Sequence, residues 1–171
     1  MTPLLLRFKT IAAGSLMLMG LVLALGQSPL MAQPMAERIK TTPDPYEPFL
    51  LSQAIRAGNL VFVSGQVGMD LQGKLVGVGD FEAQAEQAFK MLGLVLEQAG
   101  SSLHQTVKVN IYVTDMKNFP IVMKLREKYF KKPYPADTIV QVSALALPEL
   151  QIEIDAVGLV GGTIQDARSS Q

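Results

Sequence analysis

The clearest periodic signal lies in the middle of the chain. In FEAQAEQAFKMLGLVLEQAG, the apolar residues Phe81, Ala85, Ala88, Phe89, Leu92, Val95, Leu96 and Ala99 recur at spacings of three and four. That spacing predicts an amphipathic helix over 81–99. Asp80 is placed to cap its start and Gly100 to end it. The period then changes to two. TVKVNIYVTD (106–115) sets Val107, Val109, Ile111 and Val113 on one side and Lys108, Asn110, Tyr112 and Thr114 on the other, the pattern of a half-buried strand. A second helix is predicted from near Asn118, with Pro120 in its first turn and Ile121, Val122, Leu125 and Tyr129 as its buried face. DTIVQVSAL and ELQIEIDAVGLV follow as strands, separated by Pro148. Ahead of the first helix, SQAIRA and LVFVSGQV flank Gly58-Asn59, a two-residue hairpin signal. DLQGKLVGVGD (70–80) reads as a loop with a second small hairpin in it.

The order is therefore β-β-α-β-α-β-β, an α+β layer with both helices on one face of the sheet. In the last strand Ile152, Ile154 and Ala156 fall on one side, and Glu153, Asp155 and Val157 on the other. Only one side can be covered by the helices. The face left over makes the chain a candidate for self-association.

The two ends behave differently. Arg7 and Lys9 precede an uninterrupted apolar and small run, IAAGSLMLMGLVLAL (11–25), and GQSPLMAQ then breaks it with Gly26 and Pro29. This is the layout of a secretory signal peptide, with cleavage expected after Ala32. The rival reading is a retained anchor, but fifteen residues span roughly 22 Å of a ~30 Å hydrocarbon core. The expectation is export to the periplasm or beyond, without stable membrane association. Cleavage removes two basic residues and no acid, taking the formal net charge from 0 to −2. Residues 33–48, with four prolines, read as an extended tether; 49–160 form the domain; 161–171 form a loose polar tail.

Candidate chemistry is sparse. With 15 basic and 15 acidic residues, no strong field points to nucleic acid. The absence of cysteine removes disulfides, thiolate metal sites and a cysteine nucleophile. The single histidine, His104, has no convergent partners in any motif, and no metal or cofactor is expected. Ser64-Gly65-Gln66 closes an apolar strand, and Gly65 admits either a close neighbour or a simple bulge. Glu153, on the polar side of its strand, is read from the residues alone as solvent-facing.

Taken together, SQAIRAGNLVFVSGQV, the 81–99 helix, VKVNIYVTDMKNF and PYPADTIVQVSALALPELQIEIDAV resemble the RidA (YjgF) family over about residues 45–160. The resemblance implies a chorismate-mutase-like α+β fold, a homotrimer with small-molecule clefts between subunits, and hydrolysis of enamine or imine intermediates to ketoacids and ammonia. It implies that Ser64, Gly65, Gln66 and the catalytic candidate Glu153 belong to the cleft. It also marks departures. Asp137 stands where the family carries a carboxylate-binding arginine, Ile139 where a cysteine is frequent, Met123 where the second helix carries an asparagine, and Leu51 (or Phe49) where a tyrosine precedes the Ser-Gln run. Two like charges at about 4 Å cost on the order of 4 kcal/mol at an effective dielectric of 20. Asp137 facing a cleft is thus expected to reject α-imino carboxylates; otherwise it is a surface acid beside Lys128, Lys131 or Lys132. The functional expectation is a deaminase-type hydrolase acting on C=N bonds with altered substrate. The alternative is a non-catalytic ligand-binding or chaperone-like trimer.

Export generates a direct prediction. N-terminal sequencing of the mature protein is expected to begin near Gln33, with Gln27 as the next choice. Intact Met1 on a membrane-bound protein would establish the anchor instead.

Overall fold

The computed structural model describes residues 35–167. The expected signal segment and the last four residues of the tail lie outside the described residues. The elements are β1 (Ala36–Ile39), β2 (Ala54–Ala57), β3 (Leu60–Val67), α1 (Phe81–Gln98), β4 (Thr106–Val113), α2 (Phe119–Tyr129), β5 (Ala136–Gln141) and β6 (Ile152–Leu159). They form one six-stranded sheet in the order β1-β2-β3-β6-β4-β5. All pairs are antiparallel except β4–β5, which is parallel because α2 carries the chain across between them.

Local chemistry sets the boundaries. The Asp80 side chain accepts from the Ala83 amide at 3.1 Å and opens α1. Gly100 (φ +78°) closes it, with its amide bonding back to Glu97 and that of Ser101 to Leu96. The hairpin at Gly58-Asn59 joins β2 to β3, and Gly58 takes the left-handed conformation there (φ +62°). A small turn lies in 70–74, where the Asp70 amide donates to the Lys74 carbonyl.

Two expectations need correction. Part of the presumed tether is strand. β1 pairs with β2 from Ala36↔Ala57 to Ile39↔Ala54. Its side chains are mostly exposed, so backbone pairing with a free sheet edge, not apolar alternation, holds it. In β4, Val107 does not share the core face with Val109. The β4–β6 register shifts between Thr106 and Lys108, which turns Thr106 inward and leaves Val107 half-buried.

Both helices cover one face of the sheet. Phe89, Leu92 and Leu96 of α1 and Val122 and Leu125 of α2 pack with Val61, Ile111, Ile152 and Ile154 in one core. Phe89 stacks on Tyr129 at 5.1 Å and meets Phe130 edge-on at 5.8 Å, which fastens α2 to α1. Each such large apolar side chain contributes roughly 1.5–3 kcal/mol on burial. A second, smaller cluster of Tyr46, Val67, Met69 and Leu150 is flanked by Leu75, Leu145 and Leu147.

The two clusters are tied through Gln84. This side chain is fully buried on α1. Its Nε2 donates to the Glu149 carbonyl at 3.0 Å, and its Oε1 accepts from the Gln151 amide. It thereby holds the β5–β6 connection against the helix. Gln84→Ala strands that carbonyl and that amide, and is expected to cost about 2–4 kcal/mol. Urea unfolding measures it. A change under about 0.5 kcal/mol, the scale of an ordinary surface substitution, would mean that the connection is held by other contacts.

Candidate functional site

Between Val63, opposite Ala156, and Gln66, opposite Ile154, β3 carries one residue more than β6. Ser64 and Gly65 together face Asp155, which is a bulge. Gly65 leaves the space that the Glu153 side chain occupies. A Cβ at this position would lie 1.7 Å from Glu153 Oε1 and 2.5 Å from its Cδ. The Glu153 side chain therefore lies against the bare backbone of Gly65. The Tyr46 hydroxyl donates to the Gly65 carbonyl at 2.7 Å from the other direction.

This arrangement forms one end of a cavity of about 230 Å³. Tyr46, Phe49 and Leu51 come from the segment ahead of β2. Gly65, Val67 and Met69 come from β3 and its exit, Ala146, Leu147 and Leu150 from the β5–β6 connection, and Glu153 from β6. Among the described residues of the wall, Glu153 is the only charged one. Burial pushes its carboxyl above the usual range, and the neighbouring Asp155 adds to the shift. Burial also raises the Tyr46 hydroxyl, which stays a neutral donor. Beyond the cavity, Asp155 accepts from Asn110 Nδ2 at 2.7 Å and from the Tyr112 hydroxyl at 3.0 Å. Lys108 Nζ donates to Asn110 Oδ1 at 2.7 Å and to Thr138 Oγ1 at 2.8 Å. The carboxylate of Glu153 can thus accept a proton from a bound water or pair with a cation in an otherwise apolar wall.

The candidates from the sequence divide into groups. Gly65, Glu153 and both tyrosine-position alternatives, Leu51 and Phe49, meet in the cavity. Glu153 is half-buried there, not solvent-facing as its strand position alone suggests. Ser64 instead donates to the Ser52 carbonyl at 2.7 Å, and Gln66 is fully buried, with Nε2 on the Ser64 carbonyl at 2.9 Å. Both shape the bulge without lining the cavity. Met123 lies with Arg126 and Tyr134 in a second cavity beside α2. Ile139 packs against the main core.

Asp137 pairs with Val109, so it lies on the helix-covered side of the sheet, whereas Glu153 pairs with Tyr112 on the opposite side. Within one chain the two acids do not share a pocket. Asp137 is not a surface acid beside a lysine either. Its side chain is only 9% exposed, and Oδ2 lies 2.7 Å from Arg126 Nη2. Lys128 is engaged with Glu86 at 2.6 Å. Burial raises the Asp137 carboxyl, against the pull of Arg126 and Lys108.

Tyr46 was not visible as a site residue. It sits in PDPYEP, where prolines erase periodicity; an aromatic there was the one available hint. Ala146, Leu147 and Leu150 were equally silent, since a loop wall has no repeat.

Residues 40–160 match the family model described as Endoribonuclease L-PSP. The chain belongs to the RidA family. The human 2-iminobutanoate/2-iminopropanoate deaminase is 38% identical over 111 residues, which cover 64% of this chain and 80% of that protein. The Dermatophagoides farinae protein of the same name is 32% identical over 118 residues, covering 69% and 90%. The crystal structure of RidA from Psychrobacter sp. PAMC 21119 superposes with a TM-score of 0.67 at 35% identity, covering 72% of this chain and 99% of that one. The fold of this RidA-family chain is accordingly the RidA-like α+β fold, with its two helices on one side of the sheet.

The raised Glu153 carboxyl has a consequence for stability. A folded-state pKa above the unfolded value favours folding below the unfolded pKa, and that contribution is lost as pH rises through the folded pKa. Glu153→Gln keeps the shape and removes the titration. It is expected to raise Tm at pH 7 and to change it little near pH 4. Thermal unfolding at both pH values checks this; a lower Tm at pH 7 would show that the ionised carboxylate is stabilised in place.

Proposed function

We propose that this RidA-family chain is an exported homotrimer that binds a small molecule and hydrolyses imines or enamines, with a substrate altered from that of its deaminase-named relatives. One observation carries the reading: a half-buried carboxylate, Glu153, set in an apolar cavity against the uncovered backbone of Gly65. A water at Glu153 would add to the carbon of a protonated imine as the carboxylate takes one water proton, giving a neutral carbinolamine. The carboxylic acid would then protonate the nitrogen, and as the C–N bond breaks the hydroxyl proton would pass back to the carboxylate, releasing a carbonyl compound and ammonia. Several relatives are named 2-iminobutanoate/2-iminopropanoate deaminases.

Support for self-association comes from the sheet face without helices. It presents Ile55 (37% exposed), Phe62 (48%) and Val140 (39%). These lie in rows with the Lys108–Asn110–Asp155–Tyr112 network. An apolar patch around satisfied polar groups suits a second copy of the same chain. A second reading, a binding trimer without catalysis, is favoured by a different observation. In the described cavity wall no second acid or base stands opposite Glu153, since the Tyr46 hydroxyl is held on the Gly65 carbonyl.

Light scattering on the mature protein is expected to give three times the monomer mass. Ammonia release from imines generated by an oxidase in the same vessel tests the chemistry. Glu153→Gln is expected to lower the rate by about 10²–10⁴-fold, the usual scale for loss of a general base. A trimer that releases no ammonia from any imine supports the binding reading, and a monomer removes the intersubunit cleft.

A further inference from the structure

We infer that the cavity beside Glu153 takes an apolar amine or its protonated imine, a cation that carries no carboxylate. This deepens the proposed function and shares its site, but it concerns what binds, not whether hydrolysis follows.

Charge is the first argument. Among the described residues of the wall, Glu153 is the only charged one, and Asp155 lies two residues along the same strand face. Among the described residues, two cations near this face are already committed. Lys108 Nζ is held by Asn110, Thr138 and the Val109 carbonyl. Arg38 pairs with Asp44 at 2.9 Å. If a second copy brought α2 and β5 to the cavity mouth, it would bring Arg126 already paired with Asp137, and so no net positive charge. An anionic ligand would meet one or two carboxylates and, among the described residues of the wall, no cation. A cationic ligand meets a single carboxylate in a poorly hydrated wall, where the attraction is weakly screened.

Shape and chemistry of the wall agree. The remaining surface is Tyr46, Phe49 and aliphatic side chains. Aromatic rings attract cations through their faces, and the aliphatic walls favour a hydrocarbon tail. At about 230 Å³ the cavity is sized for a small ligand, one ring or one short branched chain with its nitrogen. Tyr46 does not compete for the nitrogen as a base, because its hydroxyl donates to Gly65 and titrates above the usual phenol range.

The test uses calorimetric titration of the purified protein with three matched sets: cyclohexylamine, cyclohexanol and cyclohexanecarboxylate; then benzylamine, benzyl alcohol and benzoate; then isopentylamine, isopentanol and isovalerate. The amines are expected to bind at least tenfold more tightly than the carboxylates. Glu153→Gln is expected to bring each amine down to the affinity of its alcohol. Leu147→Trp fills the cavity without altering its charge and is expected to weaken amines and alcohols alike, so the inference stays testable even if the Glu153 variant folds poorly. Carboxylates binding as tightly as amines, or amines binding undiminished in the Leu147→Trp protein, would overturn it. Ammonia release separates the two proposals. Faster release from α-imino carboxylates than from amine-derived imines would sink this inference and leave the hydrolase reading intact. Tight amine binding with no release from any imine would do the reverse.

Discussion

One extra residue in β3 governs the geometry of the candidate site. Without the bulge at Ser64–Gly65, Asp155 would face a single partner and the strand would run flat past β6. With it, the backbone of Gly65 lies bare under the Glu153 side chain, and its carbonyl turns to the Tyr46 hydroxyl. The bulge is itself held by side chains. Ser64 bonds the Ser52 carbonyl, and Gln66 is buried with its amide on the Ser64 carbonyl. The Ser-Gly-Gln run is therefore one device. Its outer members fix the backbone, and the glycine between them makes room for an acid.

That acid is expensive to keep where it is. A carboxylate in an apolar wall loses water and, among the described residues, gains no charged partner, and its raised pKa expresses that cost. The main core beneath the other sheet face is large enough to absorb it, with Phe89, Leu92, Leu96, Ile111, Ile152 and Ile154 all fully buried. The small second cluster then fixes where the cost falls. Leu150 and Val67 pack beside Glu153, and Gln84 reaches from α1 to hold the connection that carries Leu150 and Leu147. The cavity wall is thus tied to the helix on the far side of the sheet.

The sequence was legible wherever side-chain periodicity follows burial. α1, β4, α2 and β6 were all visible for that reason, as was the Gly58-Asn59 turn, and the separation of Ile152, Ile154 and Ala156 from Glu153 and Asp155 holds in the fold. It was silent where backbone pairing or loop packing decides. β1 has exposed side chains and exists through its hydrogen bonds to β2. The inward turn of Thr106 depends on a register shift that alternation cannot encode. Half the cavity wall, from Tyr46 to Leu147, comes from segments with no period at all. Resemblance to the RidA family identified Gly65 and Glu153 together; it could not say that Ser64 and Gln66 would support the bulge from outside the cavity.

Asp137 shows how a single position can mislead when its partner is elsewhere in the chain. Read alone, a carboxylate in place of an arginine reverses the local charge. In the fold it meets Arg126 from α2, and the two cancel at 2.7 Å. The pair carries no net charge, so the position offers a ligand neither a free cation nor a free anion. That weakens the like-charge argument and leaves the missing attraction as the surviving one. The pair also fixes β5 to α2. Removing either member leaves the other largely buried without its counterion, which typically costs more than the intact pair contributes. Arg126 is consequently a constrained guanidinium. Freeing it for a ligand would first require parting it from a carboxylate that is nine-tenths covered. Whatever docks beside α2 therefore meets a guanidinium already neutralised by Asp137.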